Sequence, residues 1–417
     1  MKRFLSGDEA FAEGVRLAKP QVISAYPITP QTVVVERLSE MVEEGSLKAE
    51  YVHVESEHSA LSCAMGASAT GARTFTATSS QGLLYMAEVL TYAAGGRFPI
   101  VMMNANRATA LPWNIYGDQR DSLALLDHGW IQAYAENNQE ALDLALMAYA
   151  VAEDPAVLTS FMVNLDGFAL THTYETVDVP AEEDADAFLP PYQATNCFDF
   201  EHPKNIGYSA GPDYNRYFKY YEHRDMLGAF EAIDRVEARF AECFGRAYTG
   251  PVEAVSCDDA EAVLVTLGSI AGLARESVAR LREQGKRVGL LRIRYMRPFP
   301  AKLIAEALAG AAAVGVLEKD ISFGAEGTVF TNVNSALQQA GCMVPTFNFI
   351  GGLGGDDITS AQMDAMFDVL LDAAAGQARN DVAAVQGAGL GRVSFLGIDF
   401  PVSSQSACGD DCEEGAR

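Results

Sequence analysis

Basic charge is scarce in this chain. Its 417 residues carry 30 Lys and Arg against 56 Asp and Glu, a formal charge of −26. So acidic a protein lacks the basic face that grips nucleic-acid phosphates, so no nucleic-acid partner is expected. The same deficit argues against docking on anionic lipid. Long apolar runs are missing too. No stretch reaches the roughly 18 residues of a bilayer-spanning helix, so no membrane partner is expected. The opening residues turn acidic at Asp8 and Glu9 before an apolar segment can form, so a signal peptide is not expected either. The cysteines Cys63, Cys197, Cys243, Cys257, Cys342, Cys408 and Cys412 are odd in number and scattered. That suits a reducing cytoplasm better than a disulfide framework, and it leaves no cluster for an iron–sulfur centre. Any electrons released here must leave through another chain or domain. Cys408 and Cys412 lie close together in an acidic tail with no second pair, which reads as a solvated or redox-labile tail rather than a metal site.

What is present is an ordinary globular composition, 49% hydrophobic and 21% charged, long enough for roughly two or three domains. Short apolar runs alternate with helical patterns, the mark of an α/β layer fold. Strands are expected at residues 21–26, 51–54, 74–78, 100–103 and 156–162, with helices after Pro30, over 59–68, over 83–94 and over 141–152. Unbroken apolar strands between helices imply a parallel sheet covered on both faces. Residues 178–225, with an acidic run, Pro190-Pro191 and many tyrosines, read as a linker or partner-hugging extension leading into a helix over 226–244. A second α/β unit follows, with strands at 262–267, 288–293, 313–318 and 346–350, and the tail from 376 reads as a mostly extended arm. The expected divisions are 1–177, 178–255, 256–375 and 376–417.

Polar turns follow the strands of the first unit: Tyr26-Pro27-Ile28-Thr29-Pro30-Gln31-Thr32, Glu55-Ser56-Glu57-His58, Thr78-Ser79-Ser80-Gln81-Gly82 and Asn104-Ala105-Asn106-Arg107. Ligands of open α/β sheets bind at the carboxyl ends of strands, so these turns can converge on one pocket. Read alone, Glu57 suits a helix N-terminus as well as a catalytic carboxylate. Arg107 suits two-pronged recognition of a carboxylate as well as a surface ion pair, and Thr29 a turn hydroxyl as well as a ligand contact.

The turns together resemble the α subunit of 2-oxoacid:acceptor oxidoreductases, the pyruvate:ferredoxin oxidoreductase family. The segments are Tyr26 to Thr32, Glu55 to Ala60, Thr76 to Gly82 and Asn106 to Asp121. In the second unit, Arg297-Pro298-Phe299-Pro300 and Gly351-Gly352-Leu353-Gly354-Gly355 fit the same family. The resemblance covers roughly residues 5 to 370. It implies a thiamine diphosphate enzyme, with a first domain like the family's pyrimidine-binding domain and a second like a transketolase C-terminal domain. It also implies roles. Glu57 would hydrogen-bond the aminopyrimidine ring and favour the imino form that removes the thiazolium proton. Pro27, Ser80, Gln81 and Gly82 would line the cofactor. Thr29, Arg107 and Asn106 would contact the 2-oxo acid, and no residue of this chain would bind metal. Departures fall at Asp356, where the family often has Arg, and at Glu318-Lys319-Asp320, where it often has Asp-Arg-Asn. They bear on subunit or coenzyme A contacts. Trp113 and Tyr116 read as core packing, with a wall for a larger aromatic substrate as the alternative.

Thiamine enzymes of this kind hold the diphosphate through Mg²⁺ on a Gly-Asp-Gly motif followed further on by Asn. No Gly-Asp pair here is followed by Gly. The resemblance therefore implies a β subunit carrying the diphosphate and Mg²⁺ half. It also implies γ and ferredoxin-like iron–sulfur subunits, an NAD-reducing subunit as an open option, and coenzyme A as co-substrate. The expected reaction is oxidative decarboxylation of pyruvate, or of an aromatic 2-oxo acid such as phenylglyoxylate, to acyl-coenzyme A. The electrons would pass to ferredoxin or NAD. The rivals are a non-catalytic scaffold with a decayed pocket and a transketolase-like enzyme without redox partners.

Overall fold

The computed structural model describes residues 1–203, 205–207, 209–376, 387–390 and 393–398. Its first sheet has seven strands. Six are parallel, in the spatial order Glu50–His53, Val22–Ala25, Thr74–Thr78, Val101–Asn106, Phe161–Asp166 and Ile131–Tyr134. The seventh, Tyr295–Arg297, lies antiparallel on Ile131–Tyr134 and is lent by the second half of the chain. Successive strand residues face opposite sides. Val101, Met103 and Ala105 enter an apolar cluster with helices Gly7–Ala18, Thr32–Glu43 and Asn138–Ala152. Met102 enters another with helices Glu57–Ala69 and Ala87–Gly95. Both faces are covered, which is why every residue of Thr74–Thr78, Val101–Asn106, Phe161–Asp166 and Ile131–Tyr134 is buried, polar ones included.

Helix Gly7–Ala18 and strand Ile131–Tyr134 were not expected from the sequence, and two expected first-unit elements take other bounds. The strand expected at 156–162 begins only at Phe161 and runs to Asp166. The apolar residues before it form a turn closed by Val157 N on Asp154 O at 2.8 Å. The single helix expected over 83–94 is two, Ser80–Tyr85 and Ala87–Gly95, because the Met86 N–H is shared between Gly82 O and Leu83 O. The extension is also more ordered than a linker. Tyr174–Asp178 pairs antiparallel with Lys2–Ser6, Glu182–Phe188 is helical, and a 33-residue helix spans Pro212–Phe244. Pro212 starts that helix, as proline at a first helical position can. Its second half buries Ala229, Ala232, Ile233, Val236 and Phe240 against the first unit.

In the second sheet, Ala262–Leu267, Val288–Ile293, Ala313–Glu318 and Thr346–Ile350 match the expected strands residue for residue. Val252–Val255 closes one edge antiparallel. At the other edge the tail contributes Val393–Leu396, parallel to Thr346–Ile350, and then Gly387–Leu390, so these extended pieces of it are paired into the sheet. Cys408 and Cys412 lie outside the described residues. No described helix is long and apolar enough to cross a membrane.

Buried charges join the two sheets. Arg294 Nε lies 2.8 Å from Glu140 Oε1 and Arg294 Nη1 2.6 Å from Glu237 Oε1, while Arg292 also pairs with Glu140. Burial alone would raise the Glu140 carboxyl, but the two guanidiniums hold it down at about 2. At the carboxyl end of the first sheet, Asp166 accepts from Ser269 N at 2.8 Å, Gln119 Nε2 at 2.9 Å and Lys319 Nζ at 3.3 Å.

Candidate active site

The four turns meet at one edge of the first sheet. Glu57 opens the Glu57–Ala69 helix, but it is not the cap. Ser56 takes that role, accepting from Ser59 N at 3.2 Å, which leaves the half-buried Glu57 carboxylate available. The carboxylate lies against Gly82. A Cβ built on Gly82 would stand 2.7 Å from Glu57 Oε1 and 2.6 Å from Thr78 Oγ1. Close approach, rather than a left-handed backbone, is what requires glycine here.

Arg107 follows the Val101–Asn106 strand and is buried. Its Nη1 donates to Thr29 O at 2.7 Å and its Nη2 to Gln81 Oε1 at 3.3 Å. Its guanidinium carbon lies 5.6 Å from the Trp113 ring centre, within cation–π range. Burial lowers the Arg107 pKa, and the charges of Asp121 and Glu57 work against that shift. Thr29, Glu57, Gln81, Gly82 and Arg107 therefore lie together at one sheet edge, with Pro27 exposed on the turn beside Thr29. Ser80 Oγ sits 2.6 Å from both Ala108 O and Gln81 Oε1. Asn106 spends its amide elsewhere, with Nδ2 2.8 Å from Asp121 Oδ1 and 2.8 Å from Ser122 Oγ.

Asp121 is the residue that sequence reasoning passed over. It is fully buried and accepts the Ser80 N–H at 3.0 Å and the Arg107 N–H at 3.1 Å. It sits in the polar run Gly117-Asp118-Gln119-Arg120-Asp121, which reads as surface loop. The one available signal was its inclusion in the family-like segment that begins at Asn106.

The segment between Arg107 and Asp121 is tied down by the second unit. Asn114 Nδ2 donates to Gly354 O at 2.9 Å, and Gly354 N donates to Asp118 Oδ2 at 3.0 Å. A Cβ on Gly355 would lie 2.4 Å from Tyr116 Cβ, so the glycine turn 351–355 is a seat for this segment. Trp113 and Tyr116 are not core residues as expected: they are 70% and 52% exposed. Glycines beneath Tyr116 and the guanidinium beside Trp113 hold them out at the cleft side. Of the departures, Glu318 is buried and accepts from Val329 N at 2.7 Å and Asn348 Nδ2 at 2.8 Å, and burial followed by Asp320 pushes it up to about 8. Lys319 is the partner of Asp166, and Asp356 is exposed beside a ≈ 400 Å³ cavity at the sheet junction.

Comparison with known proteins bears on the chain as a whole. Residues 13–238 match the family described as pyruvate flavodoxin/ferredoxin oxidoreductase, thiamine diphosphate-binding, and residues 260–363 match pyruvate:ferredoxin oxidoreductase core domain II. The chain is 48% identical over 362 residues to pyruvate synthase subunit PorA of Methanothermobacter thermautotrophicus, covering 87% of this chain and 93% of that one. It is 44% identical over 367 residues to ketoisovalerate oxidoreductase subunit VorA of Pyrococcus abyssi, covering 88% and 92%. A solved 2-oxoglutarate:ferredoxin oxidoreductase from Magnetococcus marinus has the same fold, with a TM-score of 0.70 at 20% identity. The match covers 89% of this chain and 65% of that one. The chain thus belongs to the pyruvate:ferredoxin oxidoreductase family, as an α subunit of a 2-oxoacid oxidoreductase.

Proposed function

We propose that this chain supplies the aminopyrimidine half of a thiamine diphosphate site, in a complex that oxidatively decarboxylates a small 2-oxo acid to acyl-coenzyme A. The observation that carries this reading is the Glu57 carboxylate pressed on Gly82, in one cleft with the Arg107–Thr29 pair. The donor set fits the cofactor's ring end. A half-buried carboxylate at a helix start can hold a proton at the ring nitrogen, and Gly82 lets flat atoms approach it. Buried Arg107 Nε and Asn106 Oδ1 are polar atoms without a protein partner beside it. Bound thiamine diphosphate supplies the nucleophilic carbon for decarboxylation. The chain's own residues do the rest. Glu57 exchanges a proton at the ring nitrogen, Arg107 with Thr29 orients the substrate carboxylate, and Pro27, Ser80, Gln81 and Gly82 wall the ring. Asn106 acts behind Arg107.

In domain terms we propose 1–177 as the pyrimidine-binding unit and 256–375 as the transketolase-like unit, joined by 178–255 and followed by 376–417. A β subunit would bring the Gly-Asp-Gly half with Mg²⁺, and iron–sulfur chains would pass electrons to ferredoxin in the cytoplasm. An uncovered helix face supports a partner chain. Tyr214, Tyr217 and Tyr221 recur at i, i+3 and i+7 on Pro212–Phe244 and are 69%, 55% and 46% exposed.

The test is Glu57→Gln in the assembled complex, assayed for acyl-coenzyme A with pyruvate, 2-oxoisovalerate and phenylglyoxylate. Loss of turnover with the complex intact is expected, with pyruvate the best native substrate. Unchanged turnover would return the scaffold reading, and activity of the isolated chain without redox partners would return the transketolase-like one.

A further inference from the structure

We propose that Asp121 is the positioning residue that aligns the cofactor side of this cleft with its substrate side. The inference rests on the reading of the cleft given above. Asp121 touches neither ring nor substrate. It acts through two turns that arrive from different strands. Its Oδ2 accepts Ser80 N at 3.0 Å, Arg107 N at 3.1 Å and Asn104 Nδ2 at 3.3 Å. Its Oδ1 accepts Asn106 Nδ2 at 2.8 Å and Ser122 N at 2.7 Å.

The Ser80 contact fixes the turn that presses Gly82 on Glu57. Ser80 has a φ of 52°, a left-handed conformation that a residue with a Cβ adopts only when its surroundings hold it there. The bond from its N–H to Asp121 is one such hold. The Arg107 contact fixes the backbone from which the guanidinium reaches Thr29 and Gln81. One carboxylate thus sets the spacing between the group that handles the ring proton and the group that handles the substrate carboxylate. A neutral acid or an amide cannot do the same, because one of its oxygens, or the nitrogen replacing it, would point a hydrogen at N–H donors.

Ionisation is therefore part of the role. Burial pushes the Asp121 carboxyl up to about 6, Asp118 adds to that, and the bonds from Asn106, Arg107 N and Ser80 N oppose it. The other charged or titratable groups facing it are the Arg107 guanidinium and the Tyr134 hydroxyl, the latter reached through Ser122.

The experiment uses the co-expressed native complex and kcat and KM for pyruvate between pH 5 and 8. The native complex is expected to lose kcat/KM on an acid limb near pH 6. Asp121→Asn is expected to raise KM and lower kcat, each about tenfold, and to flatten that limb. Asn106→Ala removes one bond that lowers the Asp121 carboxyl and leaves Asp121 in place, so its limb is expected to move to higher pH. This second variant keeps the test open if Asp121→Asn does not assemble. An assembled Asp121→Asn complex with native kinetics, or one with reduced activity and the limb unmoved, overturns the proposal. So does an Asn106→Ala limb that stays in place. Glu57→Gln run in parallel separates the two readings. If it keeps full turnover, the thiamine reading fails; if it is inactive while Asp121→Asn behaves as native, only the positioning role fails.

Discussion

Replacing Gly82 with alanine adds one methyl group where the Glu57 carboxylate lies. The new carbon would stand 2.7 Å from Oε1, so the carboxylate must retreat by about 0.7 Å to reach the 3.4 Å of ordinary contact. Thr78 Oγ1, 2.6 Å from the same point, crowds the methyl as well. Stability and activity should then part. Alanine in the Ser80–Tyr85 helix gains about 1 kcal/mol over glycine, against about 1–3 kcal/mol for overpacking, so the fold loses at most a few degrees of Tm. A proton-handling group displaced by most of an ångström costs on the order of 100-fold in rate, about 2.7 kcal/mol. The assay is kcat of the assembled complex with pyruvate, titrated with thiamine diphosphate, beside a thermal melt. Gly272→Ala is the control, since its Cβ would meet only Glu136 Oε1 at an ordinary 3.9 Å. A Gly82→Ala complex with native kcat would refute the assignment of Glu57 to the cofactor ring.

Other outcomes follow from the same geometry. Arg107→Lys keeps the charge but gives up the two-pronged fork, so KM for the 2-oxo acid should rise about 10- to 100-fold with kcat much less affected. Steady-state kinetics over a wide substrate range checks it. The Glu140 carboxyl sits at about 2 in the folded chain, below the roughly 4.3 of a free glutamate. Its stabilisation is therefore complete above about pH 4.3 and is lost as pH falls toward 2. Glu140→Gln leaves Arg292 and Arg294 buried without that charge and should cost about 3–5 kcal/mol, read by denaturant melts at pH 7. Tyr217→Glu combined with Tyr221→Glu should leave the isolated chain's stability unchanged within about 1 kcal/mol, because both side chains are exposed. The same pair should abolish co-purification of the partner chains.

The sheets were legible because their strands are covered on both faces. Val263, Val265 and Leu267 pack one way, Ala262 and Leu264 the other, and the apolar run stops where the burial stops. The meeting of the polar turns was legible for a complementary reason, since they follow successive strands at the carboxyl edge of one sheet, although Glu57 or Arg107 alone could equally have been a helix-end or ion-pair residue. Ile131–Tyr134 was not legible: it carries the buried Gln132, whose Nε2 finds Leu125 O at 3.2 Å only in the folded chain. The first half of the Pro212–Phe244 helix hid behind exposed tyrosines, which carry no burial period inside one chain. Asp121 escaped because its value lies in partners from two other turns, and sequence order keeps those 14 and 41 residues away.

The strand Tyr295–Arg297 has a consequence for anyone who divides this protein. A fragment stopped before it would leave Ile131–Tyr134 as an open border with unclaimed amide and carbonyl groups, the kind of border along which chains zip together into aggregates. Splitting the gene between its two sheets would therefore yield a sticky first piece, and intact halves would need a shared seam three residues wide to be restored in trans.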